Sequence, residues 1–467
     1  MEYPALPARR ERNLAAFLAL CLITAGCAQP APTPAPAPTQ PTTFAYTPTV
    51  PPATPSSTAT ASPVPEEACV LSADEREEMR TIENEVATLR GLSPRAPQER
   101  VLLDAESLRG RVEADMLEDY TEQEAAKDAL LFSLLGWIEP EVDLSQLYAD
   151  LMAEQAAGFY DPEADEMVVL CGTEFGGLER LTYAHEYDHT LVDQAYDPIV
   201  TLNYTDTDCE SEYDRCLAAQ ALLEGDASLL QEQWLRTFGS QQDLTDILAF
   251  FDRFEMPIYD QAPEYIRAEL TFPYLQGLLF VHSIYLQNGW AAVDSLYQNP
   301  PLSSEQILHP ERYPRDLPVK LSVPDLQEKI GNGWRELARD TFGEWNTYML
   351  LLGPLEEDAA SRGADGWGGD FILLFKENQT GEGALLLVTQ WDTLRDAREF
   401  VDAFRRYGTE RFGESAVDTG SRLEWTGAGS SSLLLRQSNQ TLWILAPDDE
   451  TLNTLRSAIQ LPLWPTP

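Results

Sequence analysis

The chain has 467 residues, 43% of them hydrophobic, enough to bury real cores, and its length points to two or three folded units. Its 77 acidic against 32 basic side chains give a formal charge of -45. That balance excludes nucleic acid, argues against docking on anionic lipid through protein charge, and suits solubility outside the cell.

At the amino terminus, Arg9, Arg10 and Arg12 precede the apolar run NLAAFLALCLITAG. The run is too short to span a bilayer and has the length of an export-signal core. It ends in ITAGC, which resembles a bacterial lipobox, and the resemblance implies lipid modification of Cys27 as the new first residue. Thr24 departs from the commoner leucine, and an ordinary cleavage site beside an incidental cysteine is the alternative. The expected location is the outer face of the cytoplasmic membrane, anchored through Cys27, or free secretion without the lipid. No other stretch is long and apolar enough to cross a membrane.

Residues 28–66 are rich in Pro, Thr and Ala, with almost no large apolar side chains. Frequent proline forbids helix and the composition forbids a core, so the segment reads as an extended tether. Residues 67–157 read as amphipathic helices: a Ser/Asp cap opens SADEREEMRTIENEVATLRGL, and Met79, Ile82, Val86 and Leu89 recur at helical spacing. In GFYDPEADEMVVL two short extended runs flank a turn, giving a β-hairpin.

Helices follow through about residue 350, the first of them carrying TYAHEYDHTLVDQ. On a helix, positions i and i+4 share a face, so His185 and His189 can present two imidazoles to one ion. Glu186 is offset by about 100° and can reach a ligand water without binding the metal. Two nitrogen ligands plus a carboxylate base is what the H-E-x-x-H spacing means chemically. Leu178, Leu181, His185, His189 and Val192 form one stripe, so the helix is expected to face the interior. A catalytic zinc needs a third protein ligand. Glu224, in CLAAQALLEGDASLLQEQW, shares a helical face with small and apolar residues, where a carboxylate is unusual without a partner.

The hinge RGADGWGGD leads into strand-like and helix-like segments at 368–467, read as a small α+β domain. The overall class expected is α+β: a mostly helical catalytic core at 158–350 with a hairpin or small sheet, then this C-terminal domain. Four cysteines follow the export signal. Their even number suggests two disulfides, with Cys209–Cys216 closing a short loop and Cys69–Cys171 as the remainder.

His185-Glu186-x-x-His189 followed on a later helix by Glu224-Gly225-Asp226-Ala227 resembles the gluzincin metallopeptidases, the thermolysin-like zincins. HEYDHTLVDQ, LLEGDA, FPYLQGLLFV and SSEQILHPERY together resemble secreted bacterial proteins with a His-Glu-Tyr-x-His pattern, over roughly residues 140–370. The resemblance implies a zincin-like core, a Zn2+ cofactor held by His185, His189 and Glu224, Glu186 as general base, and a peptide or protein substrate. The gap between His189 and Glu224 exceeds that in thermolysin, and the excess NYTDTDCESEYDRC reads as an insertion stapled by its two cysteines. The carboxylates of that stretch read as a solvated loop, with calcium binding as the alternative. Tyr274 and His309 are candidates to steady an oxyanion, with Tyr313 behind them. Asp226 or Asp193 is expected to orient an imidazole. The strand at 166–170 is a candidate substrate edge. His282, among apolar residues, is expected in the core. The rival readings are a non-enzymatic binding protein on the same scaffold and a zinc hydrolase with a non-peptide substrate.

Overall fold

The computed structural model describes residues 69–463 except 156–157, 173–174, 254–255, 323–324 and 428. The expected export signal, Cys27 and the tether lie outside the described residues.

Helix α1 (Ala73–Arg90) starts where the sequence says it should. Ser72 accepts from the Glu75 N–H and Glu75 reaches back to the Ser72 N–H, closing a capping box, and Gly91 ends the helix at φ +76. Strand β1 (Glu99–Leu103) comes next, then helices α2 (Ala105–Asp119), α3 (Glu122–Leu135) and α4 (Leu144–Gln155). Strands β2 (Gly158–Asp161) and β3 (Glu166–Leu170) form the expected hairpin. The region before the hairpin is not purely helical, however, because β1 pairs in parallel with β3. The order β1-β3-β2 puts β3 in the middle. The strand at 166–170 therefore has both edges occupied and cannot receive a substrate. Among the described residues, the outer strands of this sheet are β1 and β2.

The helices that carry His185-Glu186-x-x-His189 and Glu224 follow: α5 (Gly177–Tyr196) and α6 (Tyr213–Thr237). Helix α7 (Gln241–Phe251) packs beside α5, and the long α8 (Glu264–Asn288) packs along α6. The α6–α8 crossing is tight because glycines meet there: a Cβ on Gly225 would overlap the Gly277 carbonyl, and one on Gly277 would overlap the Ala221 carbonyl. The sulfur bridges are Cys69–Cys171 and Cys209–Cys216, the two pairings expected, with Cα separations of 5.9 and 5.8 Å. The second fastens the insertion to the first turn of α6. In that insertion the Asp208 carboxylate caps Thr205 and Glu212 pairs with Lys320. These local partners account for both side chains without a cation.

The short helix α9 (Ser304–Leu308) leads toward strand β4 (Trp334–Asp340), then helices α10 (Gly343–Leu352) and α11 (Glu357–Ala364). Strands β5 (Trp367–Glu377) and β6 (Gly383–Trp391), helix α12 (Leu394–Phe412), strands β7 (Val417–Asp418), β8 (Arg422–Gly427), β9 (Ser430–Gln437) and β10 (Gln440–Ala446), and helix α13 (Asp449–Ala458) complete the chain. These strands make a seven-stranded sheet, β4-β5-β6-β10-β9-β8-β7, with antiparallel neighbours. One face buries Trp367, Trp391, Trp425 and Trp443 against α10, α11 and α12, and the other packs Phe371, Leu433 and Ile444 against α13. The sheet thus begins at Trp334, upstream of the boundary read from sequence at 368. Among the described residues, no helix is long and apolar enough to cross a membrane. The class is α+β.

Candidate metal centre

Helix α5 enters behind Gly176, whose N–H donates to Glu179 Oε2 at 3.0 Å. Its stripe of Leu178, Leu181, His185 and Val192 is buried against α1, the small sheet and α6. The His185 side chain has no exposed surface, whereas 13% of His189 remains exposed. Glu224 reaches the pair from the middle of α6, 35 residues downstream in the sequence.

Three donor atoms converge. His185 Nε2 and His189 Nε2 lie 3.1 Å apart, and Glu224 Oε2 lies 3.4 and 3.5 Å from them. Ligands at zinc–nitrogen and zinc–oxygen distances in a tetrahedron stand roughly 3.3–3.5 Å from one another. The triangle of donors therefore matches one face of such a tetrahedron. Among the described residues, Glu224 Oε2 and His185 Nδ1 find no hydrogen-bond partner. Leaving buried polar atoms in that state is costly unless something binds them.

The electrostatics agree. Burial acts against charge on both His189 and Glu224, yet each partner holds the other ionised. The Glu224 carboxylate pushes His189 up to about 9, and the imidazoles pull Glu224 down to about 2.

Glu186 sits beside the donors, 3% exposed. Its Oε2 accepts the Tyr160 backbone N–H at 3.0 Å from the outer strand β2, while its Oε1 has no partner. Burial raises its pKa. A cavity of about 70 Å3 opens on His189 and Glu224, lined also by Tyr160, Val192, Ile199, Tyr204 and Leu223. It exceeds the ~10–15 Å3 that one water needs.

The other sequence candidates are placed differently. Tyr274 is fully buried on α8, its ring 6.3 Å from that of His185 and inclined by 22°. It backs the imidazole and does not line the cavity. His309 belongs to another cluster, with Nε2 2.8 Å from Glu344 Oε1. Tyr313 packs on Phe280 and bonds to Asn299. Asp193 accepts from the Tyr160 hydroxyl at 2.9 Å. Asp226 takes a two-pronged contact from Arg90, at 3.1 and 2.9 Å, and the Tyr297 hydroxyl at 2.7 Å. Both aspartates thus bond groups other than the imidazoles. His282 is exposed, because its apolar sequence neighbours wrap round α8 and the core takes Phe280, Val281 and Ile284.

Arg90 and Tyr160 escaped the sequence reading. Arg90 is 1% exposed and bonds Asp226, which lies two residues beyond Glu224. Nothing local marks it, since it ends an amphipathic helix where basic residues are ordinary. Tyr160 acts through its backbone, which no side-chain pattern reveals.

Residues 329–456 match a domain of unknown function (DUF8575). The matched segment runs from just before β4 into α13, so it corresponds to the seven-stranded sheet and its helices and not to the metal centre. No curated protein and no solved structure matches the chain.

Proposed function

We propose that the chain is an exported zinc peptidase of gluzincin type, whose core binds one Zn2+ through His185, His189 and Glu224. The observation that carries this reading is the triangle of donor atoms, 3.1, 3.4 and 3.5 Å on its edges, beside a carboxylate that takes no part in it. Zinc bound there supplies a Lewis acid for a carbonyl and lowers the pKa of water.

The chain's own residues do the rest. Tyr160 N–H fixes one oxygen of Glu186 and leaves Oε1 to accept a proton from water and return it to the leaving amine. The outer strand β2 offers backbone groups to an extended peptide, beside the cavity that Tyr160 lines. Tyr274 packs against His185 and holds its ring plane. His309, engaged by Glu344, has no part in this scheme. The two disulfides suit an oxidising, extracytoplasmic setting, as do the export signal and the proposed anchor at Cys27.

Glu186→Gln tests the mechanism. The variant should retain zinc while hydrolysis of a peptide library falls by about 10²–10⁴. Undiminished hydrolysis in zinc-loaded Glu186→Gln would falsify the assignment of the base.

A further inference from the structure

Two edges of the donor triangle cross between helices. His185 and His189 both stand on α5, so helical spacing holds their Nε2 atoms 3.1 Å apart. The 3.4 and 3.5 Å edges to Glu224 depend instead on how α5 and α6 sit against each other. Each helix also carries an aspartate beside its ligands. Asp188 immediately precedes His189, and Asp226 comes two residues after Glu224. At a rise of about 1.5 Å per residue, each stands within about 3 Å of a ligand along its helix axis. Both are fully buried.

Arg90 meets both of them from a third helix, α1, which packs on α5 and on α6. Its Nε and Nη2 bond Asp226 at 3.1 and 2.9 Å, and the same Nε stands 3.7 Å from Asp188 Oδ1. Neither oxygen of Asp188 finds a hydrogen-bond partner among the described residues, so the buried guanidinium is the cation that faces it. The Trp290 ring, 4.5 Å away, closes over the group. Asp294 is a different kind of partner. It takes Nη1 at 2.6 Å, but it ends the short helix Trp290–Asp294, off both ligand helices, and its side chain is 33% exposed.

We propose that Arg90 is a positioning residue for the metal centre: its guanidinium ties Asp188 on α5 to Asp226 on α6, and so holds the Glu224 carboxylate at its distance from the imidazoles. The inference rests on the zinc reading above. It makes the last turn of α1 part of the metal centre, upstream of the 158–350 core read from the sequence. Arginine suits the place because its planar fork serves several carboxylates in fixed geometry, whereas lysine offers a point charge on a flexible stem. Losing an outer partner of metal ligands typically costs about 10–100-fold in affinity.

The test titrates the metal-stripped full chain with zinc against a chromophoric chelator, and with cobalt, whose visible bands report the geometry of its ligands. Arg90→Lys keeps the buried charge and loses the fork. It should bind zinc at least tenfold more weakly than the parent and shift the cobalt bands, with circular dichroism showing a folded chain. Asp226→Asn retains an acceptor for the Tyr297 hydroxyl and should do the same, which decides the matter if Arg90→Lys does not fold. Asp294→Asn should lower Tm and leave zinc affinity and cobalt bands as in the parent, an outcome that a purely stabilising network would not give. Parental zinc affinity and cobalt bands in either folded variant, or an equal loss in Asp294→Asn, would overturn the role of Arg90 while the parent still binds zinc. A parent that binds neither ion would overturn the zinc reading itself, and this inference with it.

Discussion

Arg90 concentrates more buried charge than any surface pair discussed above. Its guanidinium is inaccessible to solvent, bonds Asp226 with two prongs and Asp294 at 2.6 Å, and lies under the Trp290 ring at 4.5 Å. Asp188 approaches its Nε at 3.7 Å with both carboxylate oxygens otherwise unpaired. Removing one partner of a buried pair leaves the other uncompensated, at a cost of about 3–5 kcal/mol. Arg90→Met should lose that much in urea denaturation; a loss below about 1 kcal/mol would contradict the reading. By contrast, the Arg395–Glu399 pair is largely exposed, and Arg395→Ala should leave the urea midpoint unchanged. Legibility at this scale divides along the same line. His185, His189 and Glu224 could be read from sequence because helical spacing aligns the first two, and because a carboxylate among apolar residues calls for a partner. Arg90 and the Tyr160 N–H could not, because their partners are separated from them by tertiary distance: Asp226 lies 136 positions from Arg90, and Glu186 26 from Tyr160.

The crossing of α6 and α8 backs the turn of α6 that carries Glu224. Gly225 follows Glu224 directly and meets Gly277 backbone to backbone. A methyl group at position 277 must force the helices apart, and overpacking of this kind costs about 1–3 kcal/mol. Gly277→Ala should therefore also weaken zinc affinity at least tenfold, measured by competition with a chromophoric chelator. Gly110 provides the control, since a Cβ there meets nothing within 4 Å. Gly110→Ala in α2 should leave zinc affinity unchanged and gain roughly 0.5–1 kcal/mol. Equal zinc affinity in parent and Gly277→Ala would show that the crossing does not position the ligand. Most helices and the β2–β3 hairpin were legible, because caps, glycine stops and periodicity are local. Strand β1 was not: VLL is too short a run to choose between helix and strand without its partner β3. Strand β4 was hidden more deeply, since WRELARD carries four charged side chains and becomes a strand through its pairing with β5.

At the scale of the whole molecule, the junction between the helical region and the large sheet holds buried carboxyls that shape the pH response. Burial pushes Asp214 up to about 7 and Asp340 up to about 8, outweighing the N–H donors of Ser304 in the first case and of Tyr213 and Thr341 in the second. A carboxyl whose folded pKa lies above its ordinary 3.8 keeps its proton better in the folded chain. That contribution is fully present below about pH 4 and is lost as the pH rises through the two folded values. The urea midpoint of the metal-free chain should fall between about pH 5 and about pH 8, and Asp340→Asn should flatten the fall; a midpoint that rises would contradict it. Growing self-repulsion of a chain carrying -45 acts in the same direction. The α+β class was legible because the texture of the sequence changes along the chain, but the start of the large sheet was not, since β4 joins it from across two helices. The central claim is that one zinc ion sits on α5 and α6, and the most direct test is elemental analysis of zinc per chain in the parent and in His189→Ala, whose partly exposed side chain can be removed without opening the core. The account predicts about one zinc in the parent and none in the folded variant. A parent without zinc, or a variant that keeps it in full, would contradict the account.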